Sequence, residues 1–222
     1  MSTEPLRLSS EQRARIQLRH KASISQFGYQ PKALFWSDQR VQQMRFDVLL
    51  RIMPSLKPDK HQAWSILDVG CGFADLYRRL KQLGYEVEYH GLDISADMIF
   101  SARCLHPDAL LYQGELADQS FAPQSFDFVF LSGALNEVVD EDGCYAKSVI
   151  KQLYSIARFG VGFNLLNKHD SWIASRSDLQ SFYPAEIVVF CESFAESVDW
   201  FADYLPNDFS VFMSRQGLRL NK

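Results

Sequence analysis

The amino-acid sequence predicts an α/β fold in which a mostly parallel sheet carries helices on both faces and ends in an antiparallel β-hairpin. Short apolar runs alternate with helical patterns between residues 65 and 166, as in parallel sheets joined by right-handed crossovers. Glycines follow the first apolar run, where a strand turns into a helix. Two later strand-like runs, 198–205 and 209–213, are separated by Pro-Asn-Asp, which favours a turn and therefore a hairpin.

Composition narrows the class of protein that these elements form. Of the 222 residues, 47% are hydrophobic and 23% are charged, which predicts a packed core. The formal net charge of −4 argues against a broad surface for nucleic acid. No apolar stretch is long enough for a membrane span, and the polar start does not resemble a signal peptide, so we expect a soluble, cytoplasmic protein. The four cysteines lack zinc spacing, which predicts free thiols and no metal site.

Two helices are predicted before the first strand. Ser9 and Gln12 match a capping box at the start of the first helix. From Gln39 onward the apolar positions follow a helical stripe. Pro54 and Pro58 are expected to end this second helix, because proline removes a backbone donor and clashes with the preceding turn.

The elements of the sheet follow in order, and several carry a boundary signal. Gly84 ends the first helix of the sheet domain, Ser95 caps the second, and Pro184 stands in the first turn of the last. Besides the hairpin, the predicted strands are 65–70, 87–94, 109–113, 126–131 and 160–166. The predicted helices are 73–83, 96–104, 143–157 and 184–194. We therefore assign 1–60 to an N-terminal helical segment and 61–222 to the sheet domain.

The turn after the first strand contains the most informative motif. Residues 67–72 read Leu-Asp-Val-Gly-Cys-Gly, and glycines there let a ligand approach the backbone and the free N–H groups of the next helix. Asp68 would repel the pyrophosphate of a nicotinamide or flavin cofactor, whereas it suits a ligand with an ammonium group. Asp93 lies 21 positions after Gly72, close to the spacing at which an acid binds ribose hydroxyls. An ordinary tight turn and a dinucleotide site are the alternatives.

Together with a Gly-Glu-Leu motif after the third strand, these motifs resemble the class I S-adenosylmethionine-dependent methyltransferases. The resemblance covers about residues 60–166, and the terminal hairpin supports it. It implies a Rossmann-like sheet of seven strands, S-adenosylmethionine as the cofactor, and transfer of its methyl group by direct displacement. The cofactor-binding residues that it implies are Asp68, Gly70, Cys71, Gly72, Asp93, Ile94, Met98, Glu115, Leu116 and Ser132.

The resemblance also implies a role for most of these residues. Gly70 and Gly72 would pass under the methionine and ribose, and Asp93 would bind the ribose hydroxyls. Ile94 and Met98 would pack on the adenine, with Glu115 and Leu116 at its edge. Ser132 would face the methionine portion. A solvated carboxylate is the alternative for Glu115, and a catalytic thiol or a buried filler is the alternative for Cys71. The family often has a third glycine where this chain has Ala74, and we expect alanine only to tighten the first helical turn.

Two residues of the N-terminal segment are further candidates for cofactor binding. If the segment covers the pocket as a lid, the Trp36 ring faces the sulfonium, which cation–π attraction favours. Arg45 then pairs with the methionine carboxylate. In the alternative interpretation, Trp36 packs in the core and Arg45 lies on the surface.

The acceptor of the methyl group is less well specified. Glu137, His169 and Tyr183 are candidate catalytic bases, and His169 follows the fifth strand, where this fold places active-site loops; a structural histidine is the alternative. We favour a small-molecule acceptor and expect no nucleic-acid or membrane partner, because the chain is acidic and lacks an Asn-Pro-Pro-Tyr motif. A protein or RNA methyltransferase, and a cofactor-binding module without methyl transfer, are the alternatives.

Overall fold

A computed structural model describes residues 4–36, 38–56 and 63–217. These residues form one sheet, whose strands are β1 Trp64–Val69, β2 Val87–Asp93, β3 Leu110–Gln113, β4 Phe126–Ser132, β5 Ala157–Asn167, β6 Ser181–Phe182, β7 Ser197–Phe201 and β8 Asp208–Ser214. Seven of the strands lie in the order β3-β2-β1-β4-β5-β8-β7, and the short β6 pairs with β5. The two-residue β6 was not predicted.

The strand directions confirm the predicted mixed sheet. β1 runs parallel to both β2 and β4, whereas β8 runs antiparallel to both β5 and β7. β2 and β3 therefore extend from β1 toward one edge of the sheet. The chain then crosses back, and β4 pairs with the opposite side of β1. The crevice at such a reversal lies beyond the carboxyl ends of the strands, where open α/β sheets bind their ligands.

Eight α-helices surround the sheet within the described part of the chain. They are α1 Ser10–Phe27, α2 Gln39–Leu49, α3 Ile52–Leu56, α4 Asp75–Gln82, α5 Ala96–Leu105, α6 Cys144–Ile156, α7 Ser171–Ala174 and α8 Pro184–Glu192. The capping box of α1 is confirmed, because the Gln12 N–H donates to Ser9 Oγ at 3.2 Å and the Ser9 N–H donates to Gln12 Oε1 at 2.7 Å. Two 3₁₀ helices, Pro31–Leu34 and Leu116–Asp118, complete the set.

The predicted end of the second helix is wrong. α2 ends at Leu49, and Pro54 lies inside the separate short helix α3. Pro54 is tolerated because it occupies the first turn of α3, where a backbone N–H has no partner within the helix. Pro58 lies outside the described residues.

The core has two layers, one on each face of the sheet. Val129 and Leu131 of β4 belong to the cluster that packs against α6 and α8. Phe128 and Phe130, which alternate with them, belong to the cluster that packs against α2, α3 and α4. Because alternate residues of a strand point to opposite faces, a continuous apolar run is what a strand covered on both faces requires.

Three further observations concern the cysteines, the helices and possible metal ligands. All four cysteines are unpaired thiols. No helix of the described residues has both the length and the apolar character needed to cross a bilayer. Within the same residues, no three His, Cys, Asp or Glu side chains form a cluster that would hold a metal ion.

Candidate cofactor site

A cavity of about 710 Å³ lies at the carboxyl ends of β1, β2, β4 and β5. Its volume falls within the range of ~300–1,000 Å³ that is typical of small-ligand pockets. The sheet and its loops form one wall, and α1, the first 3₁₀ helix and α2 form the other. Every residue predicted to bind the cofactor lines this cavity: Trp36, Arg45, Asp68, Gly70, Cys71, Gly72, Asp93, Ile94, Met98, Glu115, Leu116 and Ser132.

The glycines of the turn after β1 occupy positions that exclude a side chain. Gly70 has a φ of +74°, and a Cβ there would lie 2.3 Å from Ala134 Cβ. Gly72 has a φ of +53°, and its Cβ would lie 2.7 Å from Leu34 Cδ2. Both backbone conformation and space therefore require glycine at these two positions.

Ala74 takes the same left-handed conformation as a glycine would, which corrects the expectation that it only tightens the helix. Its φ is 59° and its ψ is 38°, and it is the N-cap of α4. For a residue with a Cβ this conformation costs about 1 kcal/mol or more. The backbone thus keeps the shape that a third glycine would provide, and the buried Ala74 methyl group packs in the core.

Asp93, at the end of β2, is oriented by two backbone donors. The Gly72 N–H donates to Oδ2 at 3.0 Å, and the Ser95 N–H donates to Oδ1 at 2.8 Å. Burial raises the pKa of the Asp93 carboxyl, while the charge of His20 and the two backbone donors oppose that rise. Each carboxylate oxygen accepts more than one hydrogen bond, so Asp93 retains acceptor capacity toward the cavity.

Asp68 is a second buried carboxyl group at the cavity. The Tyr89 hydroxyl donates to its Oδ2 at 2.6 Å. Burial raises the pKa of Asp68 to about 7, and the neighbouring carboxylates of Asp93 and Asp75 act in the same direction. A cation placed in the cavity would favour the ionised form of Asp68.

The structure favours the packing interpretation of Cys71. A Cβ on Gly91 of β2 would lie only 2.9 Å from Cys71 Sγ, so the thiol fills the space above that glycine. Burial raises the pKa of the Cys71 thiol well above its usual range. A thiol that stays protonated is a poor nucleophile, although Cys71 still lines the cavity.

Comparisons with known proteins agree with this geometry. Residues 66–158 match a family model described as a methyltransferase domain. Rv1506c of Mycobacterium tuberculosis, whose name describes it as a methyltransferase, is 26% identical over 162 residues, which cover 68% of this chain and 93% of that protein. Residues 66–158 thus form a methyltransferase domain, and the comparisons support the class I S-adenosylmethionine-dependent methyltransferase family.

Two further comparisons show how far the similarity extends. A dTDP-3-amino-3,6-dideoxy-alpha-D-glucopyranose N,N-dimethyltransferase of Streptomyces fradiae is 44% identical over 59 residues, which cover 27% of this chain and 22% of the relative. The crystal structure of magnesium protoporphyrin IX methyltransferase from Synechocystis PCC 6803 with bound S-adenosylmethionine has a TM-score of 0.58 at 17% identity. That alignment covers 79% of this chain and 80% of the other, and it shows a shared fold.

S-adenosylmethionine is therefore the cofactor of this methyltransferase, and the cavity suits it chemically. We expect Asp93 to accept hydrogen bonds from the ribose, since its carboxylate is fixed at the end of β2. The buried Asp68 suits the positively charged methionine portion. Met98 and Leu116 offer buried apolar surface for the adenine.

Glu115 is not the solvated loop carboxylate of the alternative interpretation. It is buried, and it forms an ion pair with Arg13. Its Oε2 accepts hydrogen bonds from the Leu8 N–H and the Tyr145 hydroxyl, both at 3.0 Å. Glu115 therefore joins the N-terminal segment to the cavity wall, a contact that the spacing of motifs does not indicate.

Trp36 and Arg45 lie together at the other end of the cavity. The Arg45 guanidinium carbon lies 4.5 Å from the centroid of the Trp36 ring, and Arg45 forms an ion pair with the fully buried Asp208. Trp36 stands against Gly133, where a Cβ would lie 3.0 Å from its ring. Arg45 is thus buried, contrary to the surface alternative, and its pairing with the methionine carboxylate stays a prediction.

Two of the three candidate bases do not line the cavity. His169 and Tyr183 are exposed and contact each other, with ring centroids 5.0 Å apart. β6 lies beside this segment, where the Lys168 N–H donates to the Phe182 carbonyl at 2.9 Å. Neither side chain belongs to the cavity lining, and the role of His169 and Tyr183 as bases stays a prediction.

Glu137 does line the cavity, but its carboxylate is already occupied. Arg15 Nε donates to Oε1 at 2.9 Å, and Arg19 Nη1 donates to Oε2 at 3.1 Å. Both arginines belong to α1. Glu137 therefore anchors α1, and its role as a catalytic base stays a prediction.

Some cavity residues have no sequence signal of their own. Asn136 lines the cavity, and its Oδ1 is buried with no partner among the described residues. His20 lines it from α1, as does Ile16 one turn earlier. The shared helical face of Ile16 and His20 is a weak signal, since an i, i+4 pair does not show what the face contacts.

Proposed function

We propose that this methyltransferase acts on a small molecule, and that residues 4–36, the N-terminal cover, close the cavity around cofactor and acceptor. The observation that carries the proposal is the position of α1. Gln17 Nε2 donates to the Ile94 carbonyl at 3.0 Å on one side of the cavity. Gln12 Nε2 donates to the Val139 carbonyl at 2.8 Å on the other. A helix anchored on both sides covers part of the cavity, which suits a small acceptor better than a macromolecule.

The charges of the N-terminal cover also favour a small acceptor. Four of its arginines form ion pairs with acidic residues of the sheet domain: Arg7 with Asp118, Arg13 with Glu115 and Asp118, Arg15 with Glu137, and Arg19 with Glu137. Binding of RNA needs cations that are available to phosphates. Because these arginines are neutralised within the protein, the rim of the cavity offers little attraction for an RNA backbone.

Several apolar side chains lie in the expected acceptor end of the cavity. Trp172 of α7 is 58% exposed and stands at its mouth. The apolar residues that line the cavity together with Trp172 are Leu166, Ile173, Leu179 and Leu205. Such a lining suits a compact organic acceptor. The name of the Streptomyces fradiae relative, which describes methylation of an amino sugar, supports a small molecule as well.

Alignment and exclusion of water are the main tasks that we assign to the protein. S-adenosylmethionine supplies an already activated methyl group. We propose that Trp36 faces the sulfonium and that Arg45 holds the methionine carboxylate, since they lie side by side at the cavity. Fixing the acceptor against the methyl group then lowers the barrier through proximity.

The test is transfer of a labelled methyl group to fractions of a cell extract. The full chain and labelled S-adenosylmethionine are incubated with a low-molecular-mass filtrate, a protein fraction and an RNA fraction, with Asp93→Ala as the background control. We expect label in the filtrate alone. Label in protein or RNA would overturn the small-molecule proposal, and label in no fraction would favour a cofactor-binding module without methyl transfer.

A further inference from the structure

One ring nitrogen beside the cofactor site has no partner among the residues that the structure describes. His20 Nδ1 is buried and forms no hydrogen bond with the described residues, although the side chain lines the cavity. Leaving a buried polar atom unsatisfied destabilises a protein. An unpaired donor or acceptor at a ligand cavity therefore points to a partner on the ligand.

The helix that carries His20 is fixed over the end of β2. Ile16 and His20 lie one turn apart on α1 and both line the cavity. Between them, Gln17 Nε2 donates to the carbonyl oxygen of Ile94 at 3.0 Å. Since Ile94 directly follows Asp93, this contact places the His20 face of α1 beside the carboxylate expected to hold the ribose. The charge of His20 also lowers the pKa of Asp93, which agrees with their proximity.

The imidazole ring of His20 contacts the ring of Phe35. The two ring centroids lie 5.9 Å apart, and the Arg19 guanidinium lies over the same Phe35 ring at 4.2 Å. Phe35 has a φ of +63°, which is a strained conformation for a bulky side chain. Strain of this kind concentrates at ligand sites, where the surrounding structure maintains it. Phe35, a residue of the N-terminal cover, thus helps to position the His20 ring.

From these contacts we infer that His20 is a ribose-binding residue of this methyltransferase. Its Nδ1 forms a hydrogen bond with one ribose hydroxyl of bound S-adenosylmethionine, and Asp93 accepts a hydrogen bond from the same hydroxyl. A hydroxyl both donates and accepts, so it can satisfy both side chains at once. The cofactor would then join the N-terminal cover to β2. The inference concerns the cofactor and is independent of the acceptor.

The experiment measures binding of S-adenosylhomocysteine by calorimetry with the full chain. His20→Phe keeps a ring against Phe35 but removes the hydrogen bond, and we expect affinity to fall about ten-fold. His20→Asn returns a polar atom near the position of Nδ1 and should recover most of that loss. Leu18→Phe is the matched control, because Leu18 is 67% exposed on the same helix, and it should bind like the unaltered protein.

Binding of the 2′-deoxy and 3′-deoxy analogues separates a ribose contact from a merely structural role. In the unaltered protein, the analogue that lacks the shared hydroxyl should bind about ten-fold more weakly than S-adenosylhomocysteine. His20→Phe should reduce this preference several-fold. If both analogues keep the same preference in His20→Phe as in the unaltered protein, the inference is wrong, even when S-adenosylhomocysteine itself binds.

A measurement on the unaltered protein keeps the inference testable if His20→Phe does not fold. NMR of ring-labelled histidine reports directly on the hydrogen bonding of Nδ1. We expect the His20 Nδ1 resonance to shift on addition of S-adenosylhomocysteine and to shift less with the analogue that lacks the shared hydroxyl. An unchanged resonance in the saturated complex would overturn the inference.

Discussion

The turn after β1 and the N-terminal cover face each other across one cavity, but different interactions hold them. The turn is fixed by backbone hydrogen bonds, such as those from the Gly70 and Cys71 N–H groups to the Leu92 carbonyl at 2.7 and 3.1 Å. The cover is held largely by arginine side chains, of which Arg7 and Arg15 are more than half exposed. The first set of contacts is buried, and the second lies near water.

This difference indicates which side of the cavity moves when a ligand enters. Exposed ion pairs contribute about 0–1 kcal/mol each, and salt screens them over a distance of ~8–10 Å. Buried backbone contacts are insensitive to salt and costly to break. We therefore infer that the glycine turn is a fixed platform for the cofactor, whereas the cover opens and closes at modest cost.

Placing a methyl group on Gly70 should cause the largest loss of stability. Gly70→Ala combines a strained φ of +74° with a Cβ contact of 2.3 Å to Ala134, so we expect the free energy of unfolding to fall by about 3 kcal/mol or more. Denaturant unfolding measures this. Gly84→Ala is the matched control, because Gly84 has a φ of +78° but nothing within 4 Å of its Cβ, and it should cost only about 1 kcal/mol. Equal losses at both positions would show that the platform tolerates displacement.

A second prediction concerns the buried carboxyl group of Asp68. The folded protein retains this proton up to about pH 7, whereas the unfolded chain releases it near pH 3.8. Stability of the ligand-free protein therefore falls as the pH rises between these values. Asp68→Asn keeps an acceptor for Tyr89 and should raise stability by roughly 2 kcal/mol at pH 8, with little change at pH 4. Thermal unfolding at the two pH values is the measurement.

The same variant should bind S-adenosylmethionine more weakly at pH 8, since it lacks the negative charge that suits the methionine portion. Stability and binding would then change in opposite directions, as expected for a residue kept for function. A variant with unchanged stability at pH 8, or with tighter cofactor binding, would contradict this account of Asp68.

The sequence was sufficient to predict the platform because its signals are local. A strand buried on both faces needs an apolar run such as that of β4, and a turn at positive φ needs glycines such as Gly70 and Gly72. Asp93 was found through its spacing, because the length of a βαβ unit sets the distance between two strand ends. Each of these residues lines the cavity where the motif placed it.

The contacts of the N-terminal cover could not be predicted in the same way. They join residues about 100 positions apart, such as Arg13 and Glu115, and an arginine-rich helix does not specify which carboxylates it meets. His169 follows the fifth strand as expected, but its side chain is exposed and does not line the cavity, whereas its neighbour Asp170 does. The pairing of β5 with the two-residue β6 was also missed. A two-residue strand has too short a pattern to predict.

Within the cover, Arg13 should matter more for stability than its neighbours. Its partner Glu115 has only 2% of its side chain exposed. After removal of Arg13, the Leu8 N–H and the Tyr145 hydroxyl are the partners of Glu115 that remain among the described residues. Breaking a buried pair costs more than breaking an exposed one. Because Arg13 itself is partly exposed, we expect Arg13→Met to reduce the free energy of unfolding by about 1–2 kcal/mol. Denaturant unfolding is again the measurement, and no loss would show that Glu115 finds other partners.

The smallest effect on stability is expected at Arg15 of the N-terminal cover. Arg15 is 53% exposed, and Glu137 also pairs with Arg19, so Arg15→Met should change the free energy of unfolding by less than about 0.5 kcal/mol. Opening of the cover should nevertheless become easier, because one of its anchors across the cavity is lost. We expect faster dissociation of S-adenosylhomocysteine in stopped-flow measurements and a weaker dependence of that rate on salt.

The salt dependence is the decisive part of this last experiment. In the unaltered protein, added salt should accelerate dissociation, because it screens the ion pairs that hold the cover. Arg40→Met provides the control, since Arg40 is an exposed arginine of α2 that does not line the cavity. A dissociation rate that salt does not change in the unaltered protein would mean that the cover is as firmly held as the glycine turn. The ligand would then have to leave by a route that does not separate α1 from Glu137.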